Sequence, residues 1–239
     1  MTDAVFVLVH SPLVGPATWE PTAAVLRTGG IDVRVPALTP PVDARRPRWR
    51  TAADDVVAAV ADVDRASPLV LVGHSAAGPR VPVISRALAE AGHAVAAHVL
   101  VDAGMPYPGR VPAEALPPAF VDHLDALVRP DGLLPPWPEW WPPEVLAGLL
   151  PDDGGRAEVA AECAEVPRDL YDEPVPVPDG WPGTTPCGYL SFTYEDDAVE
   201  AERRGWTVVR SPGHHLQPVV DPDGVAARLR ALVDQLLAP

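Results

Sequence analysis

The sequence predicts an α/β fold with a mostly parallel sheet flanked by helices, and three observations support this prediction. Short apolar runs that do not alternate, such as residues 5–9 and 69–72, are typical of strands buried on both faces. Stretches with helical spacing of apolar residues separate these runs, and this alternation indicates parallel strand pairing. The run at 69–72 breaks sharply at Gly73-His74-Ser75-Ala76-Ala77-Gly78, a turn that opens the next helix.

The predicted elements follow one another in a regular order. In the first part of the chain we predict strands over 5–9, 31–35, 69–72 and 97–101. Helices predicted over 18–27, 51–63 and 79–91 lie between them. Near the end of the chain the pattern resumes with a strand over 188–193, a helix over 198–204, a strand over 207–209 and an amphipathic helix over 224–237.

Residues 106–186 differ in character from the rest of the chain. They are dense in proline and contain four of the seven tryptophans: Trp137, Trp140, Trp141 and Trp181. This segment follows the carboxyl end of a strand, which is the edge where open α/β sheets bind ligands. We therefore predict one structural domain, in which residues 1–105 and 187–239 form the core and residues 106–186 form a cap.

Composition excludes several classes of partner and chemistry. The net charge of −15 argues against nucleic acids and anionic membranes as partners. All 18 basic residues are arginine, which excludes Schiff-base chemistry on lysine. No metal-ligand spacing and no nucleotide-binding glycine pattern occurs, so we predict neither metal nor cofactor. The N-terminus lacks a signal-peptide pattern and no segment has the length of a membrane span, which favours a cytoplasmic location. We predict a monomer or a homodimer that acts on a small-molecule substrate.

The turn at Ser75 has the pattern of a nucleophile elbow. In this pattern a strand runs into Gly-x-Ser-x-small and then a helix, and the serine is held on a strained turn above the sheet edge. Gly73 and Ala77 are the small flanking residues; the usual second glycine is replaced by Ala77, with Gly78 next. The Ala76 N–H would then face a developing oxyanion. An ordinary serine cap at a helix start is the structural alternative.

With this motif the chain resembles the α/β-hydrolase superfamily, and is most similar to its branch of plant methyl esterases and hydroxynitrile lyases. The opening of that branch is a short strand, an oxyanion loop and a tryptophan. Here it reads Val7-Leu-Val-His-Ser-Pro-Leu-Val-Gly-Pro-Ala-Thr-Trp19. The resemblance spans nearly the whole chain, is weakest over 108–186, and implies an α/β-hydrolase fold with Ser75 as nucleophile.

The resemblance also implies a catalytic histidine in a loop before a proline that opens the final helix. Counting back from Pro218 and Pro222 favours His215, whereas the preceding Gly213 favours His214. We predict His215 and keep His214 as the alternative. Both could also be surface loop residues.

Two loops offer an acid to orient the histidine. The chain order Ser, acid, His fits the acidic run after the strand over 188–193, where the resemblance favours Asp196, with Asp197 and Glu195 as competitors. Asp102 ends the strand after the elbow, where other members of the superfamily carry the acid. Acidic residues after 193 could also simply stabilise a helix N-terminus.

The oxyanion loop departs from the family pattern. The resemblance places the second backbone donor at Pro12, and proline has no N–H. The donor would then be the Leu13 N–H or the Ser11 hydroxyl, or would be missing. Loss of one such donor costs roughly a hundredfold or more in acyl transfer.

These features predict a serine hydrolase that cleaves a small, neutral, fairly apolar carboxylic ester or lactone through an acyl-enzyme on Ser75. Trp137, Trp140 and Trp141 could line the substrate pocket, and the absence of a cationic cluster indicates a neutral substrate. Pro12 motivates an alternative, a lyase or cyclase of secondary metabolism, although the lyases of this branch use a pocket lysine that this chain lacks. A non-catalytic ligand-binding member is a third reading.

Overall fold

The structure is a computed structural model that describes residues 4–238, so the ends of the core predicted over 1–105 and 187–239 lie outside it. The strands among these residues are β1 (Val5–Val9), β2 (Val33–Arg34), β3 (Leu69–His74), β4 (Val95–Val101), β5 (Leu133–Leu134), β6 (Val166–Pro167), β7 (Cys187–Ser191) and β8 (Thr207–Arg210). Six of them form one parallel sheet in the order β2-β1-β3-β4-β7-β8. The predicted α/β class is confirmed.

Helices cover both faces of this sheet. They are α1 (Glu20–Thr28), α2 (Arg48–Ala59), α3 (Val81–Glu90), α4 (Pro118–Leu127), α5 (Pro143–Leu149), α6 (Asp153–Ala161), α7 (Glu195–Arg203), α8 (Gln217–Val220) and α9 (Pro222–Leu236). Alternate strand residues point to opposite faces. Val5, Val7 and Val9 therefore pack with α2, α3 and α7, whereas Phe6 and Leu8 pack with α1 and α9.

Most predicted elements lie within a few residues of the observed ones, and two differ in a way that matters here. The strand predicted over 31–35 pairs for only two residues and lies at the edge of the sheet. The helix predicted over 198–204 begins at Glu195, so the acidic run occupies its first turn. That position suits acidic side chains because it is the positive end of the helix dipole.

The sheet topology creates a cleft next to Ser75. From β1 the chain moves outward to β2 and then returns to β3 on the other side of β1. The loops that leave β1 and β3 therefore diverge, and open α/β sheets bind ligands at such switch points. The turn that contains Ser75 begins at the carboxyl end of β3.

The segment between β4 and β7 has a hydrophobic cluster of its own. Its members include Leu124, Leu134, Trp137 and Trp140, and the cluster also contains Leu13 and Leu216 from loops of the sheet edge. Trp181 is an exception, since it packs beside His98 and Trp206 instead. Within residues 4–238 no helix is both long and apolar enough to span a bilayer.

Candidate active site

Ser75 occupies a strained turn at the end of β3. Its φ of 58° lies in the left-handed region, which a non-glycine residue rarely adopts outside functional sites. A Cβ on Gly78 would lie 2.1 Å from the Gly104 carbonyl oxygen, and one on Gly73 would lie 2.7 Å from a Val81 methyl group. The close approach of two backbones thus requires glycine at 78, whereas the methyl of Ala77 fits in the core.

A chain of two hydrogen bonds connects Ser75, His215 and Asp102. His215 Nε2 lies 2.9 Å from Ser75 Oγ, and His215 Nδ1 lies 2.8 Å from Asp102 Oδ2. A carboxylate accepts from Nδ1–H, which leaves Nε2 free to accept the serine proton. The sequence alternatives thus separate: His215 reaches Ser75, whereas His214 accepts the Leu216 N–H on its ring.

Asp102 is fixed by the loop that follows β7. Its Oδ1 accepts the N–H groups of Phe192, Thr193 and Tyr194 at 2.7–3.0 Å, and its Oδ2 accepts the Thr193 hydroxyl at 2.6 Å. The residue is fully buried and has a φ of 42°. Burial alone would raise the pKa of Asp102, but its bonds to His215 and Thr193 hold that pKa well below the usual range. Asp102 is therefore ionised at neutral pH.

This arrangement corrects the first-choice acid. Asp196 is exposed in the first turn of α7, and within residues 4–238 it makes no hydrogen bond to His215. Asp197 accepts the Met105 N–H at 2.8 Å, and burial raises its pKa. The loop before α7 contributes backbone donors to the acid and does not contribute the acid itself. The carboxylate that is bonded to His215 is that of Asp102, at the end of the neighbouring strand β4.

Two aromatic rings enclose His215. His74 stacks on one side at 4.7 Å between ring centroids, and Tyr194 stacks on the other at 5.0 Å with its ring nearly parallel. His74 Nε2–H also donates to the His215 carbonyl at 2.9 Å. Burial lowers the pKa of His74 to about 3, so that His74 is neutral. The ring of His215 is thus held by hydrogen bonds at both nitrogens and by packing on both faces. No feature of the sequence indicated that Tyr194 packs against His215.

The oxyanion side of Ser75 is less complete. Ala76 follows Ser75 at the start of a short 3-10 turn, where a backbone N–H has no partner inside the turn, and Ala76 lines the cavity. Pro12 also lines the cavity and has no N–H to offer. The Leu13 N–H donates to Ser11 Oγ at 3.2 Å, so the two predicted substitutes are bonded to each other.

A cavity of about 860 Å³ opens above Ser75. This volume suits a small-molecule ligand. Trp137, Trp140 and Trp141 line it, as predicted, together with further apolar side chains that include Phe120, Leu149, Leu170 and Val175. Trp140 is anchored by its indole N–H, which donates to the Pro135 carbonyl at 2.7 Å.

Arg80 also lines this cavity, although it is not among the residues predicted from the sequence. The residue is only 4% exposed and follows Ser75 by five positions. Nothing in the local sequence distinguishes it from a surface arginine at the start of a helix. Its burial depends on contacts with distant parts of the chain, so a cation at this place could not be inferred from spacing.

Comparison with known proteins gives matches at the level of structure. No protein-family model and no curated protein matches the chain. An extracellular α/β-hydrolase from a Paenibacillus species is similar at 17% identity and a TM-score of 0.76, over 99% of this chain and 100% of that one. A pyrethroid hydrolase from Sphingobium faniae JZ-2 is similar at 19% identity and a TM-score of 0.75, over 99% and 98%. Tomato methylketone synthase I, complexed with beta-ketoheptanoate, is similar at 15% identity and a TM-score of 0.73, over 99% and 100%.

At these identities the similarity establishes the fold and leaves the chemistry to the site itself. The alignments span essentially the whole chain, including the segment between β4 and β7. The parallel sheet and the serine turn after β3 agree with this result. The protein therefore has the α/β-hydrolase fold that its sequence predicts.

Proposed function

We propose that this protein is a serine hydrolase that cleaves small carboxylic esters or lactones through an acyl-enzyme on Ser75. The observation that supports it most is the hydrogen-bond chain from Ser75 through His215 to Asp102. A serine hydroxyl is a poor nucleophile without a base in hydrogen-bond reach, and here the base is itself oriented by a buried carboxylate. Two of the similar structures described above are named hydrolases, which agrees with this proposal by analogy of fold.

In the proposed reaction, Ser75 Oγ attacks the ester carbonyl while its proton passes to His215 Nε2. Asp102 stabilises the resulting imidazolium without taking the proton itself. The Ala76 N–H donates to the oxyanion of the tetrahedral intermediate. His215 then returns the proton to the leaving alcohol, and a water molecule repeats the sequence to release the acid.

Hydrolysis of p-nitrophenyl acetate and butyrate by the wild type and by Ser75→Ala, His215→Ala and His214→Ala tests this proposal. We expect activity to disappear with Ser75→Ala and His215→Ala and to persist in His214→Ala, because only His215 reaches the serine. Labelling by a fluorophosphonate should require Ser75. If Ser75→Ala is still labelled, or if it hydrolyses the esters as fast as the wild type does, the acyl-enzyme on Ser75 is refuted.

Pro12 favours a second candidate, a non-hydrolytic enzyme on the same fold such as a lyase or cyclase. Without a second backbone donor, the site is poorly equipped to stabilise a full oxyanion. Methylketone synthase I illustrates that this fold also serves enzymes that are not named as hydrolases. If wild type and Ser75→Ala hydrolyse both esters equally slowly, this candidate becomes the better one.

The variant Pro12→Ala separates the two candidates further. It supplies a backbone N–H at the position where the resemblance places the second oxyanion donor. A hydrolase should therefore gain roughly tenfold in kcat. This gain is smaller than the loss measured when a preorganised donor is removed, because the new N–H is not held in place for the oxyanion. No gain, together with slow ester turnover, would favour the non-hydrolytic candidate.

The cytoplasmic location and the monomeric or homodimeric state stay predictions. The similar Paenibacillus protein is described as extracellular.

A further inference from the structure

A buried arginine beside the serine has donors that the protein does not use. Arg80 is 4% exposed and lines the cavity together with Ser75 and Ala76. Within residues 4–238 its guanidinium makes one hydrogen bond, from Nη1 to the Ala76 carbonyl at 2.5 Å. A guanidinium has five N–H donors in a planar fork, so most of this donor capacity is unused.

The charge of Arg80 also lacks a close counter-ion. None of the carboxylates described in the structure lies within 4.0 Å of it. Glu173 influences Arg80 electrostatically, but its two oxygens bind the Arg48 guanidinium at 3.2 Å and the Trp49 N–H at 3.3 Å. Burial lowers the pKa of Arg80 to about 10, so that the group remains charged at neutral pH. An unpaired buried charge is costly, and an anion would offset this cost.

No other charged group around the cavity, among the described residues, is a buried cation that could bind an anion. Glu195 and Asp196 line it but are exposed, so water and salt screen their charges. Asp197 is bonded to the Met105 N–H, and Arg110 is an exposed residue over the Tyr107 ring. Arg80 is the buried cation adjacent to the turn that contains the nucleophile.

We infer that Arg80 forms a carboxylate-binding subsite, and that the preferred substrates are esters with a free carboxylate near the scissile bond. This inference rests on the proposed function. The guanidinium fork matches a carboxylate in geometry and can donate two parallel hydrogen bonds. The apolar side chains of the cavity would contact the short carbon chain between the two groups. This specificity replaces the neutral substrate expected from the sequence, where no cationic cluster was visible.

Two pairs of isosteric esters test the inference. Monomethyl glutarate is compared with methyl 5-oxohexanoate, which has a methyl ketone in place of the carboxylate. The second pair, 3-acetoxypropanoate and 4-acetoxy-2-butanone, moves the charge to the alcohol side. For the wild type we expect kcat/KM to favour the anion by roughly 10- to 100-fold in at least one pair, as charge-assisted hydrogen bonds imply. Equal or faster turnover of the neutral member in both pairs would overturn the inference.

The variant Arg80→Gln locates the effect. It removes the charge and keeps an N–H donor for the Ala76 carbonyl, so the ratio of the two kcat/KM values should fall to about one. Arg86→Gln, which removes an exposed arginine paired with Glu90 on α3, is the matched control and should leave the ratio unchanged. If Arg80→Gln slows both members of a pair equally, Arg80 only braces the serine turn. If Arg80→Gln does not fold, Arg80→Lys takes its place in the experiment. Because lysine keeps the charge, this variant should retain part of the preference for the anionic ester.

Failure of the inference can be told apart from failure of the proposed function. If none of the four esters is turned over faster than by Ser75→Ala, the hydrolase proposal fails. Calorimetric titration with glutarate then tests the subsite alone. Binding to the wild type that is lost in Arg80→Gln and kept in Arg86→Gln supports the subsite, and equal binding to all three, or no binding, refutes it.

Discussion

The sheet edge and the cap build the two walls of the same cavity in different ways. At the sheet edge Ser75, His215 and Asp102 are held by hydrogen bonds, many of them from the backbone: Asp102 alone accepts three N–H groups from one loop. In residues 106–186, which the sequence predicts as a cap and which are called the cap below, the cavity wall consists mainly of apolar and aromatic side chains such as Trp137 and Phe120. Directional bonds fix atoms to fractions of an ångström, whereas apolar packing mainly fixes shape. If the proposed function is right, the edge determines the chemistry and residues 106–186 determine the room for substrate.

The largest expected effect follows from disturbing the sheet edge. Asp102→Asn keeps the shape of the side chain but presents an amide to His215 Nδ1, which favours the wrong tautomer, so kcat should fall by roughly 10⁴. Asp196→Asn changes an exposed carboxylate and should cause a much smaller loss. Steady-state kinetics on p-nitrophenyl butyrate measure both. A larger loss for Asp196→Asn would mean that the arrangement around Asp102 is not the working one.

The next largest effect tests how firmly the cap is packed. Trp140 is 2% exposed and bonded to Pro135, so Trp140→Ala should lower the free energy of unfolding by about 3–5 kcal/mol. Val145→Ala, on the exposed face of α5, is the control and should change the stability little. Urea denaturation measures both variants. A loss below about 1 kcal/mol for Trp140→Ala would show that the cap contributes little to the cooperative unit.

A third variant compares glycines of the two regions. Gly78→Ala places a methyl group against the Gly104 carbonyl and should cost about 1–3 kcal/mol. Gly148, in α5 of the cap, has open space around its Cβ position, and Gly148→Ala should be neutral or stabilise by up to about 1 kcal/mol. Thermal unfolding should show a change in Tm of roughly 3 °C for each kcal/mol. Equal values for the two variants would contradict the close contact at the serine turn.

The contrast between the regions also explains which parts of the site could be predicted from the sequence. The turn at Ser75 is visible because its requirements are local: an apolar strand, then Gly73, Ser75 and Gly78 within six residues. The prediction of His215 rests on the family resemblance together with its spacing to Pro218 and Pro222, which lie in the first turns of α8 and α9. These features depend on neighbours along the chain.

The acid and the buried cation depend on contacts between distant segments. The loops after β4 and β7 end at the same edge of the sheet, so both an acid at 102 and an acid at 196 are compatible with the sequence. The choice is made by the backbone N–H groups of residues 192–194, which turn toward Asp102. Arg80 is buried in a cavity wall that Leu170 and Tyr171 of the cap complete. A single sequence contains no measure of those distances.

The smallest expected effect concerns Tyr194, where aromatic packing reaches the sheet edge. Its ring lies 5.0 Å from that of His215 at an angle of 12°, while both nitrogens of His215 have hydrogen-bond partners. Aromatic pairs contribute about 0.5–1.5 kcal/mol, so Tyr194→Leu should lower kcat by roughly two- to tenfold. Tyr194→Phe retains the ring and should restore kcat. If Tyr194→Phe is as slow as Tyr194→Leu, the hydroxyl of Tyr194 and not its stacked ring contributes to kcat. Hydrogen bonds would then position all the side chains of the sheet edge, and aromatic packing would contribute only in the cap.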